Sequence, residues 1–589
     1  MLKGNYRFLD DLTPTSTRVE PPLNLEVNES SQWDAECDVL VIGLGLAGIS
    51  TILKTCEDSS LQIIGVDRGL GGGTSAVSGG VVYAGGTKVQ RDLGVDDSAQ
   101  NMADYLLTET GDVATPEIVR QFAQASSEFI PWLQSHGARF GGPLTHAKTS
   151  YPGTEFLYFS GNERAAAALE HAAAAPRGHR AKPPANFVIK RGSQISSGPF
   201  LMDPLIQSAE QRSNVRLYRQ TRVTRLIINS SGAVVGAQME RIPAGLSATV
   251  HGWLYRLGTH QVLGMLGMLG PVQRLACRIE RAASRPLKIR ARHAVVIAAG
   301  GFTYNRAMMN KTAPAYSAST PLGTIADDGS GIKLGMSVGG AVDRLDVVSA
   351  WRFTYPPASW TKSISVDSHG HRLVNEELYS AHVGKAVFER AGARAWLIYD
   401  ALLRATVDEE ARSKDLPSLL RMQAKSALSS YTTSAASLDL LAEKIGVPAR
   451  ELARTVERHN QLLLAGQPDE FGKADKLRAP VLKGPFYATD IGAPLKYSPI
   501  GAVTMGGLVP DQVTGQVLNA EGMPVAGLFV AGRTAVGICS NYYVSGLSLA
   551  DCVWSGWRVA ETIKGNGGIH AFVSARADSA APANASHVL

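Results

Sequence analysis

Short apolar runs punctuate the chain at residues 39–42, 61–66 and 528–531. Each is too short for a helix and lacks polar alternation, so each predicts a strand buried on both faces. A helical apolar pattern follows residue 45, and another covers ADCVWSGWRVAETI at residues 550–563. Strand, helix and strand between residues 37 and 68 predict one βαβ unit. A different pattern occupies residues 246–285. There an apolar stretch, VLGMLGMLG, is flanked by Trp253, Tyr255, Arg256, Arg274, Arg278, Arg281 and Arg285. No stretch reaches the ~18 uninterrupted apolar residues of a spanning helix. The mix of aliphatics and arginines predicts an element lying in the plane of a membrane surface. A dimer contact and an ordinary core hairpin are the alternatives.

The βαβ unit carries Gly43-x-Gly45-x-x-Gly48 between its first strand and its helix, and Asp67 at the end of its second strand. Placed there, the glycines predict a dinucleotide cradle. Gly43 makes the turn, Gly45 lets backbone approach a pyrophosphate, and Gly48 lets helix close on strand. The helix start at Leu46 and Ala47 offers N–H groups to phosphate. Asp67 is placed to accept hydrogen bonds from the adenosine ribose.

Composition narrows the reading. With 589 residues the chain exceeds one ordinary domain. A net charge of +6 with no zinc-finger, bZIP or RRM pattern gives no reason to expect nucleic acid. The five cysteines form no CxxC or metal spacing, so a reducing, cytoplasmic setting is expected, with no metal site. The acidic, weakly apolar N-terminus does not read as a secretory signal.

The stretch from Arg68 to Gly80, RGLGGGTSAVSGG, resembles the segment that wraps FAD in the fumarate reductase and ketosteroid dehydrogenase flavoproteins. The resemblance places Arg68, Thr74, Ser75, Ser78, Gly79 and Gly80 on the cofactor. Residues 293–302, with Ala299 and Gly300, are similar to that superfamily's re-entering strand. Residues 504–508 and 527–533, with Gly532 and Arg533, are similar to its returning C-terminal part. Asp328, in DDGSGIKLG, resembles the start of a cap-domain helix near the flavin. The implied fold is α/β: a Rossmann-like FAD-binding domain of glutathione-reductase type with an inserted α+β substrate-capping domain. Its expected parts are an extension at 1–35, the FAD domain at 36–301 and 498–566, the cap at 302–497 and a flexible tail at 567–589. No covalent FAD-tethering histidine, haem or iron–sulfur motif is recognisable. Dissociable FAD and an external electron acceptor are therefore expected.

The turn CSNYYVSGLSL at residues 539–549 faces the flavin in these relatives. It lacks the arginine and histidine with which fumarate reductases hold a dicarboxylate. Tyr543-Val544-Ser545-Gly546 matches the Tyr-x-Ser-Gly of the 3-ketosteroid Δ4-(5α)-dehydrogenases, and Arg372–Tyr379 resembles their cap segment. The Δ1 branch carries Tyr-Pro-Gly-x-Gly instead. The resemblance implies a steroid substrate. Desaturation beside a ketone removes an α proton and a β hydride, and the developing oxyanion needs a donor. Tyr543 is the expected donor to the C3 oxygen, Ser545 the acceptor of the C4 proton, and Tyr379 its relay. The hydride leaves C5 for flavin N5. Ser548 and Leu549 open the last helix toward the flavin's pyrimidine edge. Each residue has a structural alternative: Tyr543 packs under the flavin, Ser545 caps the helix, Tyr379 is a core tyrosine. Tyr316 and Tyr355 are further pocket candidates, and Tyr542 reads as packing. Other functional readings are a Δ1-dehydrogenase, a fumarate-reductase-like enone reductase, and a flavin-free binding protein.

Overall fold

A computed structural model of the chain describes residues 13–25, 33–148, 154–187, 196–260, 263–264, 268–354, 357–414, 416, 418–496 and 498–565. Tyr355 and the expected tail at 567–589 lie outside them. Strand β1 (Ala35–Ile42) is buried from Cys37 onward, as a central parallel strand requires. Helix α1 (Leu46–Thr55) crosses to β2 (Ile63–Val66). Strands β3 (Leu157–Phe159) and β4 (Gly178–Arg180) belong to a small second sheet. Strand β5 (Val215–Tyr218) returns beside β2, and β6 (Thr221–Ile228) and β7 (Val234–Arg241) form a meander. Helices α2 (Leu246–Gly258) and α3 (Gly270–Ala283) precede the long β8 (Arg285–Ile297). Helix α4 (Ser418–Ser430) lies in the next lobe, and β9 (Pro524–Val530) and α5 (Leu547–Ile563) complete the first.

The main sheet runs β6-β7-β8-β1-β2-β5, with β9 also on β8. β8, β1, β2 and β5 are mutually parallel, whereas β6, β7 and the start of β8 are antiparallel. β1 and β8 thus meet with their C-terminal ends together, where open α/β sheets bind ligands. Helix α5 packs along α1, and Trp554 and Trp557 meet Phe122 and Phe129 edge-on in the largest core. Residues 13–25 are drawn in as well. Thr17 and Val19 are buried, and Leu23–Asn24 adds a parallel strand beside β6.

A second lobe has its own cores around Phe388, Tyr399 and Ile398. Its sheet pairs Ala395–Tyr399 with Ile364–Asp367 and Phe486–Asp490. Below it Glu376 is fully buried between Arg372 at 2.7 Å and Lys473 at 2.8 Å. The same carboxylate accepts from the Ser365 backbone N–H and hydroxyl. Glu376 therefore ties down the segment that ends at Tyr379.

The pairing of β7 with β8 is continuous to Arg241 opposite Arg285, so residues 242–284 leave and return at one hairpin end. Where described, they form the helix pair α2 and α3, not a strand hairpin; residues 261–262 and 265–267, which include part of the apolar stretch, lie outside the described residues. Ala276, Cys277 and Glu280 point α3 inward, and its arginines point outward.

Candidate functional site

Gly43 has φ +105°, and a Cβ there would lie 2.3 Å from the Ala298 carbonyl oxygen. A Cβ on Gly48 would lie 1.8 Å from the Gly43 oxygen, so β1, β8 and α1 meet backbone to backbone. Above Gly45 the nearest atom to such a Cβ is Ser75 Oγ at 3.8 Å, which leaves room for a ligand. α1 has no side-chain cap and no acid in its first turn. The Leu46 N–H donates to Ser75 Oγ at 3.2 Å. A helix start with this chemistry is suited to a pyrophosphate.

A narrow cavity of about 90 Å³ runs over this start. Of the expected cofactor residues, Gly43, Gly45, Leu46, Ala47, Asp67, Arg68, Thr74, Ser75, Ala299, Gly300 and Arg533 line it. Asp67 accepts from the Leu44 N–H at 2.8 Å and the Gly69 N–H at 2.7 Å, which fixes its carboxylate at the cavity. A broader cavity of about 400 Å³ adjoins, sharing Thr74, Ser75, Arg533 and Cys552. Ser78, Gly79, Gly80, Ser548 and Leu549 line that one, with Tyr379, Tyr543 and Ser545. These residues fit a dinucleotide cofactor such as FAD: helix starts without side-chain caps at α1 and α5, and an acid at one end.

Three expected residues lie behind the wall. Gly48 closes the strand–helix crossing. Gly532 is packed against Ala47, where a Cβ would come to 2.7 Å. Asp328 points away, to Arg68 at 2.9 Å and the Thr17 N–H at 2.6 Å. Its neighbour Asp327 faces the cavity instead, taking Arg533 at 2.7 Å, the Gly301 N–H at 2.9 Å and the Thr74 hydroxyl. Arg68 is also bound by Glu280 of α3 at 3.0 Å, and Tyr255 of α2 lies on Gly69. The inserted helices are thereby locked to the dinucleotide end of the groove.

At the broad cavity, α5 begins at Gly546 with φ +94° and no side-chain cap. Ser545 therefore does not cap the helix. Its backbone is clamped to Ser160, which accepts the Ser545 N–H at 3.1 Å and donates its hydroxyl to the Ser545 carbonyl at 2.9 Å. This leaves the Ser545 side chain on the cavity wall. Tyr543 is half-buried and stands edge-on to Trp351, centroids 5.2 Å apart at 87°. Its oxygen is 3.4 Å from the Gly546 N–H and near Ser548, and burial pushes its pKa up. A phenol so held is a protonated donor. Tyr379 is buried, its ring 6.4 Å from that of Tyr543. Its oxygen accepts from Trp351 Nε1 at 3.0 Å, and its N–H donates to Asn162 Oδ1 at 2.6 Å.

Sequence analysis missed several cavity residues, among them Trp351, Tyr158 on β3 and Arg180 on β4. The Tyr158 hydroxyl interacts with the Ser545 side chain, and burial, opposed by nearby Arg180, lifts its pKa to about 12. No local motif marks them, because the two short strands reach the site only through tertiary pairing. Tyr316 is in the second lobe's core, donating to Glu389 at 2.7 Å, and does not line the cavity. Tyr542 is stacked on His382 at 4.5 Å and under Lys385 at 4.3 Å, also off the cavity.

The FAD binding domain family model matches residues 38–549. The 3-oxo-5-alpha-steroid 4-dehydrogenase of Comamonas testosteroni is 30% identical, over 85% of this chain and 93% of its own. A 3-oxosteroid 1-dehydrogenase of Mycolicibacterium smegmatis is 26% identical, over 86% and 93%. Among solved structures, the 3-ketosteroid-Δ4-(5α)-dehydrogenase of Rhodococcus jostii RHA1, in complex with 4-androstene-3,17-dione, superposes with a TM-score of 0.75. It is 27% identical, over 92% of this chain and 99% of that one.

Proposed function

Because this chain belongs to the FAD binding domain family and is an FAD-dependent oxidoreductase, we propose that it introduces a double bond between C4 and C5 of a 5α-saturated 3-ketosteroid. The observation that carries this reading is the Tyr543–Gly546 turn, which brings a protonated phenol and a clamped serine into one largely apolar cavity at the end of a dinucleotide groove.

The chain's own residues divide the work. Bound FAD, held non-covalently, supplies the acceptor for the hydride that leaves C5. Asp67, the start of α1, Asp327 and Arg533 would hold its dinucleotide part, and the uncapped start of α5 would offer its N–H groups to the ring. Tyr543 donates to the C3 oxygen as negative charge develops there. One such donor is worth ~3 kcal/mol of barrier. Ser545 Oγ takes the proton from C4. A hydroxyl is a weak base alone, so it must pass its own proton on as it accepts another. Tyr379 is the proposed relay, and Tyr158 is a second hydroxyl in contact with the serine. Trp351 fixes the Tyr379 oxygen and gives Tyr543 an apolar backing.

The FAD domain, cap and insertion divide as 36–301 with 498–566, 302–497 and 246–285. Electrons leave to an external acceptor. No helix among the described residues is long and apolar enough to cross a membrane. Peripheral contact through 246–285 with the inner face of a membrane is supported by the exposed Leu246 and Trp253 and the arginines around them.

The test is turnover of a 5α-saturated 3-ketosteroid with an artificial dye acceptor, followed by NMR of the product. A 4-ene-3-one is expected. A 1-ene product moves the chemistry to the other side of the carbonyl, and turnover of a dicarboxylate without turnover of steroid removes the proposal.

A further inference from the structure

Helices α2 and α3 have two different sides. On one, Gly258, Thr259 and His260 at the end of α2, and Leu269 just before α3, wall the 400 Å³ cavity. On the other, Leu246, Val250 and Trp253 are exposed at helical spacing, forming one stripe on α2. Leu246 is 80% exposed and Trp253 64%. Met268, 61% exposed, is adjacent in sequence to the cavity-lining Leu269, and Leu275 is exposed on α3. Exposed apolar surface and cavity wall thus adjoin at Met268 and Leu269.

Charge says what covers this surface. Arg256, Arg274, Arg278, Arg281 and Arg285 are all exposed. The sole acid between residues 242 and 285 is Glu280, buried against Arg68. Apolar side chains bordered by arginines, with no exposed carboxylate, match the boundary of a bilayer carrying anionic phospholipids. A second protein would meet the same arginines, but nothing in it explains why the exposed Met268 adjoins the cavity-lining Leu269. A bilayer explains both, because a 3-ketosteroid partitions into its acyl region.

We propose that the α2–α3 insertion docks on an anionic phospholipid bilayer and forms the doorway through which dissolved steroid passes from the leaflet into the catalytic cavity. The inference rests on the steroid-oxidising reading and names where that site takes its substrate from. The pair of helices is held rigidly for the task, since Glu280 is bound to Arg68 at 3.0 Å and Tyr255 is packed on Gly69. Docking therefore positions the cavity relative to the leaflet and does not leave the anchor swinging on a loop.

The experiment compares holoenzyme with the Leu246→Ser/Trp253→Ser/Met268→Ser variant, both checked for full FAD content. Flotation uses vesicles of phosphatidylcholine, with and without phosphatidylglycerol. Turnover is measured with steroid supplied either in vesicles or as a soluble cyclodextrin complex. Wild type should float with the anionic vesicles and less with neutral ones or at high salt. The variant should lose roughly tenfold or more of its vesicle-fed rate, with its cyclodextrin-fed rate unchanged. An Arg274→Glu/Arg278→Glu variant should show the same split. Wild type that stays unbound, or variants that keep the vesicle-fed rate or lose both rates equally, overturn the doorway. Absence of cyclodextrin-fed turnover in wild type strikes at the steroid reading instead, and flotation still reports on docking.

Discussion

Replacing Tyr543 with phenylalanine removes one oxygen and leaves the packing. The ring stays edge-on to Trp351 at 5.2 Å and beside Tyr379, so the cavity wall keeps its shape. The Gly546 N–H, 3.4 Å from the lost oxygen, is part of an uncapped helix start and makes only a long contact with it. The effect should thus be confined to the developing charge on the C3 oxygen. A donor in this position is worth ~3 kcal/mol, which is roughly a hundredfold in rate. Burial holds the phenol protonated, so the ratio of wild type to variant should stay flat through neutral pH. The assay is anaerobic stopped-flow bleaching of the flavin by a 5α-3-ketosteroid, with steroid affinity taken from the concentration dependence. The limiting rate should fall by about two decades, with FAD content and the flavin spectrum unchanged. A limiting rate within about threefold of wild type would show that the phenol is packing, and a bleached apo-protein would show that it holds the cofactor.

Other predictions concern the serine, the insertion and acid stability. Ser545→Ala, which leaves the backbone clamp to Ser160 intact, should abolish most turnover and also stop exchange of C4 deuterium into solvent by the reduced enzyme. Tyr158→Phe, measured beside it, should steepen the rise of rate with pH if its hydroxyl shares the proton. Glu280→Ala should weaken FAD retention in dialysis by more than Glu57→Ala, because it leaves Arg68 beside the groove with one carboxylate fewer. Breaking a buried pair of this kind costs about 3–5 kcal/mol. Arg372 and Lys473 hold the Glu376 carboxyl at about 2 against the opposing effect of burial. Its folded value lies below the unfolded one of about 4.3. The stability it contributes, on the order of 3 kcal/mol, is present above pH ~4.3 and lost as pH falls toward about 2. Acid unfolding followed by tryptophan fluorescence should shift to higher pH in Glu376→Gln.

The dinucleotide groove was legible because its signals are local. A glycine at φ +105° and a second one touching it sit five residues apart, and Asp67 closes the same βαβ unit. The Tyr543–Gly546 turn was legible for the same reason. What escaped reading depends on distant pairing. Tyr158 and Arg180 reach the cavity beside Ser545 only because β3 and β4 pair in a small sheet, and Trp351 comes from another lobe. Asp327 and Asp328 are adjacent and alike in sequence. Burial sends one to Arg533 and the cavity, and the other to Arg68 and Thr17. The insertion's outer face followed from its apolar and basic pattern, whereas its lock depends on Glu280 meeting a residue 212 positions away. Residues 13–25 read as an extension, yet Thr17 lines the groove.

The position of the lost hydrogens tests the account most directly. A 5α-3-ketosteroid labelled with deuterium at C5 should bleach the flavin several-fold more slowly than the unlabelled compound. Label at C1 should leave the rate unchanged, and the product should carry its vinyl proton at C4. A rate slowed by C1 label and indifferent to C5 label would contradict the arrangement in which Tyr543 pins the ketone and Ser545 faces C4.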